Sequence, residues 1–298
     1  MFRDFQGLRA GLEATPPKTL VVAAAHDVHT LEAVYAAEKE FPMQYILVGR
    51  RELILEISAN LGFSPPSGAI VDGDDEDDCA RKAVSLIRDG RGDVLMKGII
   101  KTGRLLSAAL DKSAGIRGSG TMSHLSILEI SGYHKLIGIT DGGMIPSPTL
   151  EQKADIVRNT VAFYERMGFH LPKIAALSAS ETVSVKIPET TEAAALQSMC
   201  EKGELGRCIL EGPLSFDIAI SRESAAIKGH SSGISGDTDV FLVPNITVGN
   251  VLVKGLLFWG GAKMAGCVLG AQIPVVLASR IATAEEKLLS IMLCLKAG

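Results

Sequence analysis

The feature that most constrains this chain is a repeated alternation of short apolar runs with segments of helical periodicity. The first run, Thr19–Ala25, is followed by apolar residues at helical spacing over residues 27–40. The pattern continues with a strand at Tyr45–Gly49 and a helix over 51–61, a strand at Ala69–Val71 and a helix over 76–89, and a strand at Asp93–Lys97. Strands that alternate with helices need crossover connections, so the sequence predicts an α/β fold with a largely parallel sheet covered on both faces.

The middle of the chain predicts a hairpin and then a domain boundary. Residues 124–140 form two strand-like runs joined at Ser131–Gly132, and Asp141–Pro148 is a run of turn-forming residues. Thr149 and Gln152 have the spacing of a capping box, so a new helix begins there and we place the boundary after Thr140. Beyond it the alternation resumes, with strands at Lys173–Ser178, Cys208–Leu210, Val240–Val243 and Ala265–Leu269 and helices over 190–202, 216–226 and 248–259.

Composition and charge exclude several classes of protein. The chain has 298 residues and a formal net charge of -4, and no run of lysine or arginine marks a nucleic-acid binder. No apolar run reaches the length of a membrane span and the N-terminus lacks the apolar segment of a signal peptide, so we expect a cytoplasmic protein. The cysteines show no C-x-x-C pair and the histidines no metal-site spacing, so we expect reduced thiols and no metal; the cysteines are Cys79, Cys200, Cys208, Cys267 and Cys294.

The acidic run Asp72–Asp78 lies where a helix would begin, which favours a solvated first turn over a metal site. No P-loop and no G-x-G-x-x-G motif supports nucleotide binding. Gly229–Asp237 is a loop of small residues that could approach a phosphate, but such loops are usually only turns.

The strongest local signal lies near the C-terminus. Pro274–Ala278 reads as a buried strand, and Thr283 with Glu286 forms a capping box that begins a helix. Ser279 and Arg280 therefore lie at a strand-to-helix turn, where ligands of α/β sheets bind and where unpaired N–H groups suit an anion. A hydroxyl beside a guanidinium suits a phosphate-bearing substrate.

Motifs spread along the chain resemble those of the phosphate acetyl/butyryltransferase family, and most of all its phosphate butyryltransferase branch. They are Met96-Lys-Gly98 with Thr102, Thr140-Asp-Gly-Gly143, Pro148 to Lys153, Gly212-Pro-Leu214 with Asp217, Gly236-Asp-x-Asp239 with Pro244, Gly249-Asn250 with Lys254, and Ser279-Arg280. Each motif is weak alone, but the ordered set is specific. The resemblance implies a two-domain, three-layer α/β/α subunit with the isocitrate/isopropylmalate dehydrogenase fold. It also implies that residues 272–298 return to the first domain (1–140), that 141–271 form a second, dimerising domain, and that the active site lies in the cleft between them.

The resemblance implies reversible transfer of a short-chain acyl group between coenzyme A and inorganic phosphate, by a homodimer or larger assembly with no tightly bound cofactor. Arg280 would hold phosphate and Ser279 would hydrogen-bond the reacting carbonyl or thiol. The family's acetyltransferase branch has an aspartate proposed as the base where this chain has Glu286; this glutamate is equally suited to capping its helix, and Glu285 is the neighbouring candidate. The residues implied to bind coenzyme A or phosphate are Lys97, Gly98, Thr102, Arg117, Asn250 and Lys254.

Three positions depart from the butyryltransferase pattern, with Glu211 and Asn245 in place of aspartates and Val253 in place of a tyrosine. They leave open the preferred acyl chain, butyryl or acetyl, and whether the protein turns over at all. Two alternatives remain: an oxidoreductase on the same fold, for which we find no nicotinamide site, and a coenzyme A binder without activity.

Overall fold

A computed structural model describes residues 2–12, 16–118, 120–279 and 282–298. Its strands are β1 (Lys18–Ala23), β2 (Met43–Gly49), β3 (Ile70–Asp72), β4 (Val94–Lys97), β5 (Ser123–Glu129), β6 (Ile137–Thr140), β7 (Lys173–Leu177), β8 (Ile209–Leu214), β9 (Val240–Leu242), β10 (Lys263–Leu269) and β11 (Val275–Val276). Its helices are α1 (Phe5–Ala10), α2 (Val28–Glu40), α3 (Arg51–Asn60), α4 (Glu76–Arg88), α5 (Thr102–Ala109), α6 (Leu150–Arg166), α7 (Pro188–Glu201), α8 (Phe216–Ile220), α9 (Arg222–Ile227), α10 (Ile246–Phe258) and α11 (Ala284–Ala297).

The chain forms two compact units. The first unit joins Phe5–Gly120 to Met264–Gly298, and the second unit joins Met1–Asp4 to Thr121–Lys263. Each contains strands of a sheet and the helices that cover them. The α/β fold class predicted from the alternation is confirmed.

In the first unit the strands run in the order β3-β2-β1-β4-β11-β10. All neighbouring pairs are parallel except β10 with β11, as the crossover pattern predicts. The central strands are apolar and buried throughout: Leu20–Ala23 of β1 and Val94–Met96 of β4 are fully shielded from solvent. Such continuous apolar strands are typical of a parallel sheet with both faces covered.

In the second unit the strand order is β5-β6-β9-β7-β8. The predicted hairpin is confirmed, because β5 pairs with β6 in antiparallel register from Leu125 opposite Thr140 to Leu128 opposite Ile137. The remaining pairs are parallel. The capping box at the start of α6 is also present, with Thr149 N donating to Gln152 Oε1 at 2.9 Å and Gln152 N to Thr149 Oγ1 at 3.3 Å.

The compact units divide the chain at different residues from the predicted boundaries. The first division falls before Thr121 rather than after Thr140, because the β5–β6 hairpin continues by parallel pairing into β9. The return falls after Lys263 rather than after residue 271, because the chain around Gly270 is tied to the first unit. There Gly118 N donates to Gly270 O at 3.1 Å.

Several predicted elements have different extents in the structure, and β8 (Ile209–Leu214) is longer than the strand predicted at Cys208–Leu210. The helix predicted over 216–226 is two short helices, because Ser221 is extended (φ -138°, ψ 119°) and its side chain caps α9 by accepting from Ser224 N. The strand predicted at Pro274–Ala278 is only β11, two residues long. The acidic run does begin a helix as predicted: Asp75 caps α4 by accepting from Asp78 N at 2.8 Å.

A cluster of ionisable side chains joins the amino-terminal ends of β7 and β9 to the hairpin turn. We call it the Asp237 cluster, and it consists of His134, Lys135, Lys173, Asp237 and Asp239. Lys135 Nζ lies 2.7 Å from Asp237 Oδ1 and 2.6 Å from Asp239 Oδ1, and Lys173 pairs with Asp237 as well. Burial raises the pKa of Asp237, but hydrogen bonds from Lys135, Lys173 and His134 outweigh it and hold that pKa well below its usual range.

Candidate functional site

The carboxyl ends of three parallel strands of the first unit bring the sequence motifs to one edge. Strands β1, β4 and β11 lie side by side and run in the same direction. The loops that leave this edge begin at Ala24, Gly98 and Leu277. This is the edge at which ligands of parallel sheets bind, and it carries the predicted Lys97–Gly98 and Ser279 together.

Gly98 is needed at this edge because two loops meet there without space for a side chain. Ala24 has φ 55°, a left-handed conformation that turns β1 sharply at its end. The turn lets Ala23 O accept from Gly98 N and Ala24 O accept from Ile99 N, both at 2.9 Å. A Cβ on Gly98 would lie 2.2 Å from Ala24 O, so only glycine fits.

Lys97 ends β4 and is buried, with Nζ donating to Gly98 O at 3.1 Å. Thr102 begins α5 and is half-buried. Arg117 has an exposed side chain, and its backbone forms an isolated bridge to Ala271. These three predicted binding residues, like Gly98, belong to the first unit.

The strand-to-helix turn after β11 is present, although Arg280 lies outside the described residues. Ser279 is exposed, and its carbonyl accepts from Ala282 N at 3.1 Å. Thr283 then caps α11, whose first turn carries Glu285 and Glu286.

Glu286 occupies the capping position that the spacing predicts. Thr283 N donates to Glu286 Oε2 at 2.9 Å, and Glu286 N donates to Thr283 Oγ1 at 3.2 Å. Glu285 is exposed at the same helix end, in the first turn of α11. The structure therefore accounts for Glu286 as a cap, while its role as a base stays a prediction.

Lys287 is a residue of this edge that the sequence reasoning missed. It is buried, and its Nζ lies 3.0 Å from Asp27 Oδ2 and 3.2 Å from Thr30 Oγ1. Asp27 in turn caps α2, which begins just beyond the end of β1. The sequence signal for Lys287 is a single lysine that directly precedes a mostly apolar stretch of α11, Leu288 to Leu295, whose residues are all buried.

The other two predicted binding residues lie in the second unit on one face of α10. Asn250 and Lys254 are one turn apart and both exposed. Asn250 Nδ2 lies 3.4 Å from Gly142 O. A Cβ on Gly249 would lie 2.7 Å from Gly142 Cα, so the G-N and D-G-G motifs contain glycine because the two backbones touch.

Asp141 organises the D-G-G loop. Its buried carboxylate accepts from Gly143 N at 2.7 Å and Met144 N at 2.8 Å through one oxygen, and from His124 N at 3.1 Å through the other. This loop follows β6 and lies beside the start of α10, where Ile246 N donates to Pro146 O at 3.2 Å. The motif therefore has a structural explanation independent of any substrate.

The three departures from the family pattern each have a local role in the second unit. Glu211 Oε1 accepts from Gly233 N at 2.8 Å and so holds the small-residue loop. Asn245 caps α10 by accepting from Val248 N at 3.1 Å, as an aspartate would. Val253 is buried within the unit.

Among the residues that the structure describes, no three or more His, Cys, Asp or Glu side chains converge as a metal site. Nor is any helix in this part of the chain long and apolar enough to cross a membrane.

Comparisons with known proteins agree on one family. The profile of the family described as phosphate acetyl/butaryl transferase matches residues 75–295. The chain is 36% identical to phosphate butyryltransferase of Clostridium acetobutylicum, covering 98% of this chain and 97% of that protein. It is 41% identical to phosphate acetyltransferase of Thermotoga maritima, covering 93% and 94%.

Solved structures give the same result. A branched-chain phosphotransacylase from Enterococcus faecalis superposes with a TM-score of 0.83 at 32% identity, covering 94% of this chain and 98% of that one. A 4-hydroxythreonine-4-phosphate dehydrogenase from Salmonella typhimurium superposes with a TM-score of 0.59 at 13% identity, covering 95% and 100%, which is a likeness of fold alone.

Proposed function

The chain belongs to the phosphate acetyl/butyryl transferase family, and on that premise we propose that it transfers a short-chain acyl group reversibly between coenzyme A and inorganic phosphate. The observation that carries the proposal is near-complete coverage, at 36% and 41% identity, of relatives named for this reaction. The proposed reaction is butyryl-coenzyme A plus phosphate giving butyryl phosphate plus coenzyme A. Acetyl transfer is the second candidate, because the 41% identical relative is an acetyltransferase.

The chemistry gives each predicted site residue a task. In the direction that consumes coenzyme A, the thiol loses its proton and its sulfur attacks the carbonyl carbon of the acyl phosphate. A tetrahedral oxyanion forms, the bond from carbon to the phosphate oxygen breaks, and phosphate departs with the electron pair. In our proposal Glu286 or Glu285 takes the proton, Ser279 donates a hydrogen bond to the reacting group, and Arg280 holds the phosphate.

The remaining predicted residues bind the substrates in this proposal. Lys97 supplies a cation at the end of β4, and Thr102 lies at the start of α5, where N–H groups suit an anion. Arg117 and the α10 pair of Asn250 and Lys254 are exposed and polar, as contacts to phosphate or coenzyme A require. Coenzyme A enters as a substrate, and we propose no tightly bound cofactor.

A substrate panel tests the function. Acetyl-, propionyl-, butyryl- and branched acyl-coenzyme A are mixed with and without phosphate, and free thiol is followed. We expect thiol release only with phosphate, and fastest with butyryl-coenzyme A. Release without phosphate would indicate a thioesterase, and absence of release would leave a coenzyme A binder; oxidation or reduction of nicotinamide would indicate the oxidoreductase alternative.

We also propose that the protein is a homodimer joined through the second unit. Along α10 and just beyond it, Val251, Phe258 and Trp259 are 65%, 70% and 94% exposed. Beside them lies a pocket of about 620 Å³ with an apolar lining that includes Leu177 and Phe216. Exposed apolar surface of this kind is typical of protein interfaces, and one patch that meets its own copy gives a closed dimer.

Sedimentation velocity tests the dimer. Val251→Asp should shift the protein to monomer, because a carboxylate would be buried in the interface. Leu55→Asp is the matched control, since Leu55 is an exposed apolar residue of the first unit and should leave the dimer intact. A monomeric wild type would refute the proposal.

Finally, we propose a cytoplasmic location. All five cysteines lie in the described part of the chain and are unbridged, which suits a reducing compartment. Burial, with the neighbouring Cys200 thiol, raises the pKa of Cys208 to about 12, so it stays a thiol at neutral pH.

A further inference from the structure

Lys287 is an unexpected residue in its surroundings. It belongs to α11, which is buried along nearly its whole length, and only 7% of the residue is exposed. Burying a charge is costly unless it is paired, and a buried ion pair is often no more stabilising than apolar residues of the same size. Stability alone therefore gives little reason for a charged group here.

The partner of Lys287 is a carboxylate that already has another task. Asp27 Oδ2 accepts from Thr30 N at 2.9 Å and from Thr30 Oγ1 at 2.5 Å, which caps α2, and it also accepts from Lys287 Nζ at 3.0 Å. One oxygen thus ties the first turn of α2 to the first turn of α11. Burial raises the pKa of Asp27, but the hydrogen bonds from Thr30 and Lys287 outweigh it and lower that pKa, so the carboxylate is charged at neutral pH.

The position of the pair in α11 links it to the candidate site. Lys287 directly follows Glu286, and its own N–H donates to Thr283 O at 3.1 Å. One turn later Ser290 Oγ donates to Glu286 O at 2.7 Å and accepts from Gly266 N at 2.9 Å, which ties the helix to β10. Apolar side chains allow a helix to slide or rotate, whereas these polar contacts fix its direction.

We propose that Asp27 and Lys287 form a positioning pair that fixes the first turn of α11, and with it Glu285, Glu286 and the preceding Ser279, for acyl transfer. The inference rests on the proposed function. Neither member of the pair contacts substrate in this proposal; both act through the residues they hold. A displacement of about 1 Å at reacting groups can cost on the order of 10²-fold in rate, so the pair should affect turnover more than binding.

The test uses substitutions that separate charge from shape in the full-length protein. Asp27→Asn keeps the cap on α2, because asparagine caps as well as aspartate, and removes only the charge. Lys287→Met removes the ammonium and keeps the length. Each should lower kcat by about 10- to 100-fold with KM for acyl-coenzyme A changed less than about threefold, and Lys287→Arg, which retains a cation, should lie nearer wild type. The double variant should be no slower than the worse single variant, because one interaction is lost only once.

Lys135→Met is the matched control. Lys135 is a similarly buried lysine with carboxylate partners at 2.6 and 2.7 Å, but it belongs to the Asp237 cluster in the second unit. Its loss should lower the melting temperature and leave kcat unchanged. If Lys287→Met and Asp27→Asn behave in this way too, the pair is structural only and the inference is overturned.

A second measurement keeps the inference independent of the activity assay. Hydrogen exchange should become faster over residues 283–289 in Lys287→Met, while residues 291–297 keep wild-type protection. Unchanged exchange in the first turn overturns the inference, whether or not the wild type is active. A wild type without phosphate-dependent thiol release contradicts the proposed function instead, and the exchange result then decides the anchoring of α11 by itself.

Discussion

Replacing Gly98 with alanine should damage both the stability and the activity of the first unit. The added Cβ would lie 2.2 Å from Ala24 O and 2.8 Å from Ala23 O. Comfortable contacts are about 3.5 Å, so the two loops must move apart by about 1 Å. That movement breaks the two backbone hydrogen bonds, from Gly98 N and Ile99 N, that join them at 2.9 Å.

The free-energy cost follows from these contacts. Two lost hydrogen bonds cost about 0.5–1.5 kcal/mol each, and overpacking costs about 1–3 kcal/mol, so Gly98→Ala should destabilise by about 2–6 kcal/mol. At about 2–4 °C per kcal/mol for units of this size, the melting temperature should fall by roughly 4–24 °C. Because Lys97 moves with the loop, kcat/KM should fall on the order of 10²-fold in the protein that remains folded.

Differential scanning calorimetry and the thiol-release assay measure the two effects. Gly103→Ala is the matched control: Gly103 is in α5, and among the described residues no heavy atom beyond its chain neighbours and the backbone of its own helix lies within 4 Å of the added Cβ. Alanine there should stabilise the helix by about 0.5–1 kcal/mol. If Gly98→Ala melts like wild type, or if both variants change alike, the close contact at Ala24 is not what requires glycine.

Three further predictions concern charge. The pKa of Asp237 is lower in the folded than in the unfolded protein, so its charged carboxylate contributes stability above the unfolded pKa near 4 and this stability is lost as the pH falls below that value. Asp237→Asn should therefore flatten the dependence of the melting temperature on pH between about 4 and 2. Glu286→Gln still caps α11 and should keep the melting temperature, yet should slow the direction that consumes coenzyme A by about 10²- to 10⁴-fold. Glu285→Gln should slow that direction less. A larger loss of rate in Glu285→Gln would make Glu285 the base, and full activity in both variants would exclude both glutamates as the base. Arg280→Lys should lower kcat/KM for phosphate far more than it changes thermal stability, since lysine cannot bind phosphate through two parallel hydrogen bonds, and near-wild-type kinetics would contradict a phosphate-binding Arg280.

Local patterns predict the structure of this chain well where the physics is local. The alternation of periods predicts the parallel strands, and both capping boxes, at Thr149 and Thr283, are found with their paired hydrogen bonds. The sequence does not predict the break at Ser221, because the helical pattern continues through this serine and only the hydrogen bond that its side chain accepts in the structure identifies it as a cap. The sequence does not predict the division before Thr121, because nothing in the sequence of the hairpin indicates that β6 pairs with the distant strand β9.

The candidate site shows the same limit. Ser279 and the capping glutamate follow from the spacing along the chain, whereas Lys287 and Asp27 are separated by 260 residues. Such a pair is invisible to periodicity, because nothing near Asp27 indicates which distant cation it will meet. The need for glycine at position 98 likewise depends on the left-handed turn at Ala24, which alanine rarely adopts and which its sequence context does not reveal.

The first unit is made of two separate stretches of chain, and this has a consequence for synthesis on the ribosome. Strand β1 emerges early, but Lys18 Nζ donates to Leu295 O at 2.8 Å, and α11 is buried against α2. The partners of the early stretch are therefore translated only after the whole of Thr121–Lys263. Domains usually complete themselves in the order of translation, but the unit that contains β1 cannot be completed until Thr121–Lys263 of the other unit has been translated. Until then its apolar strands lack α11 and the neighbouring β11.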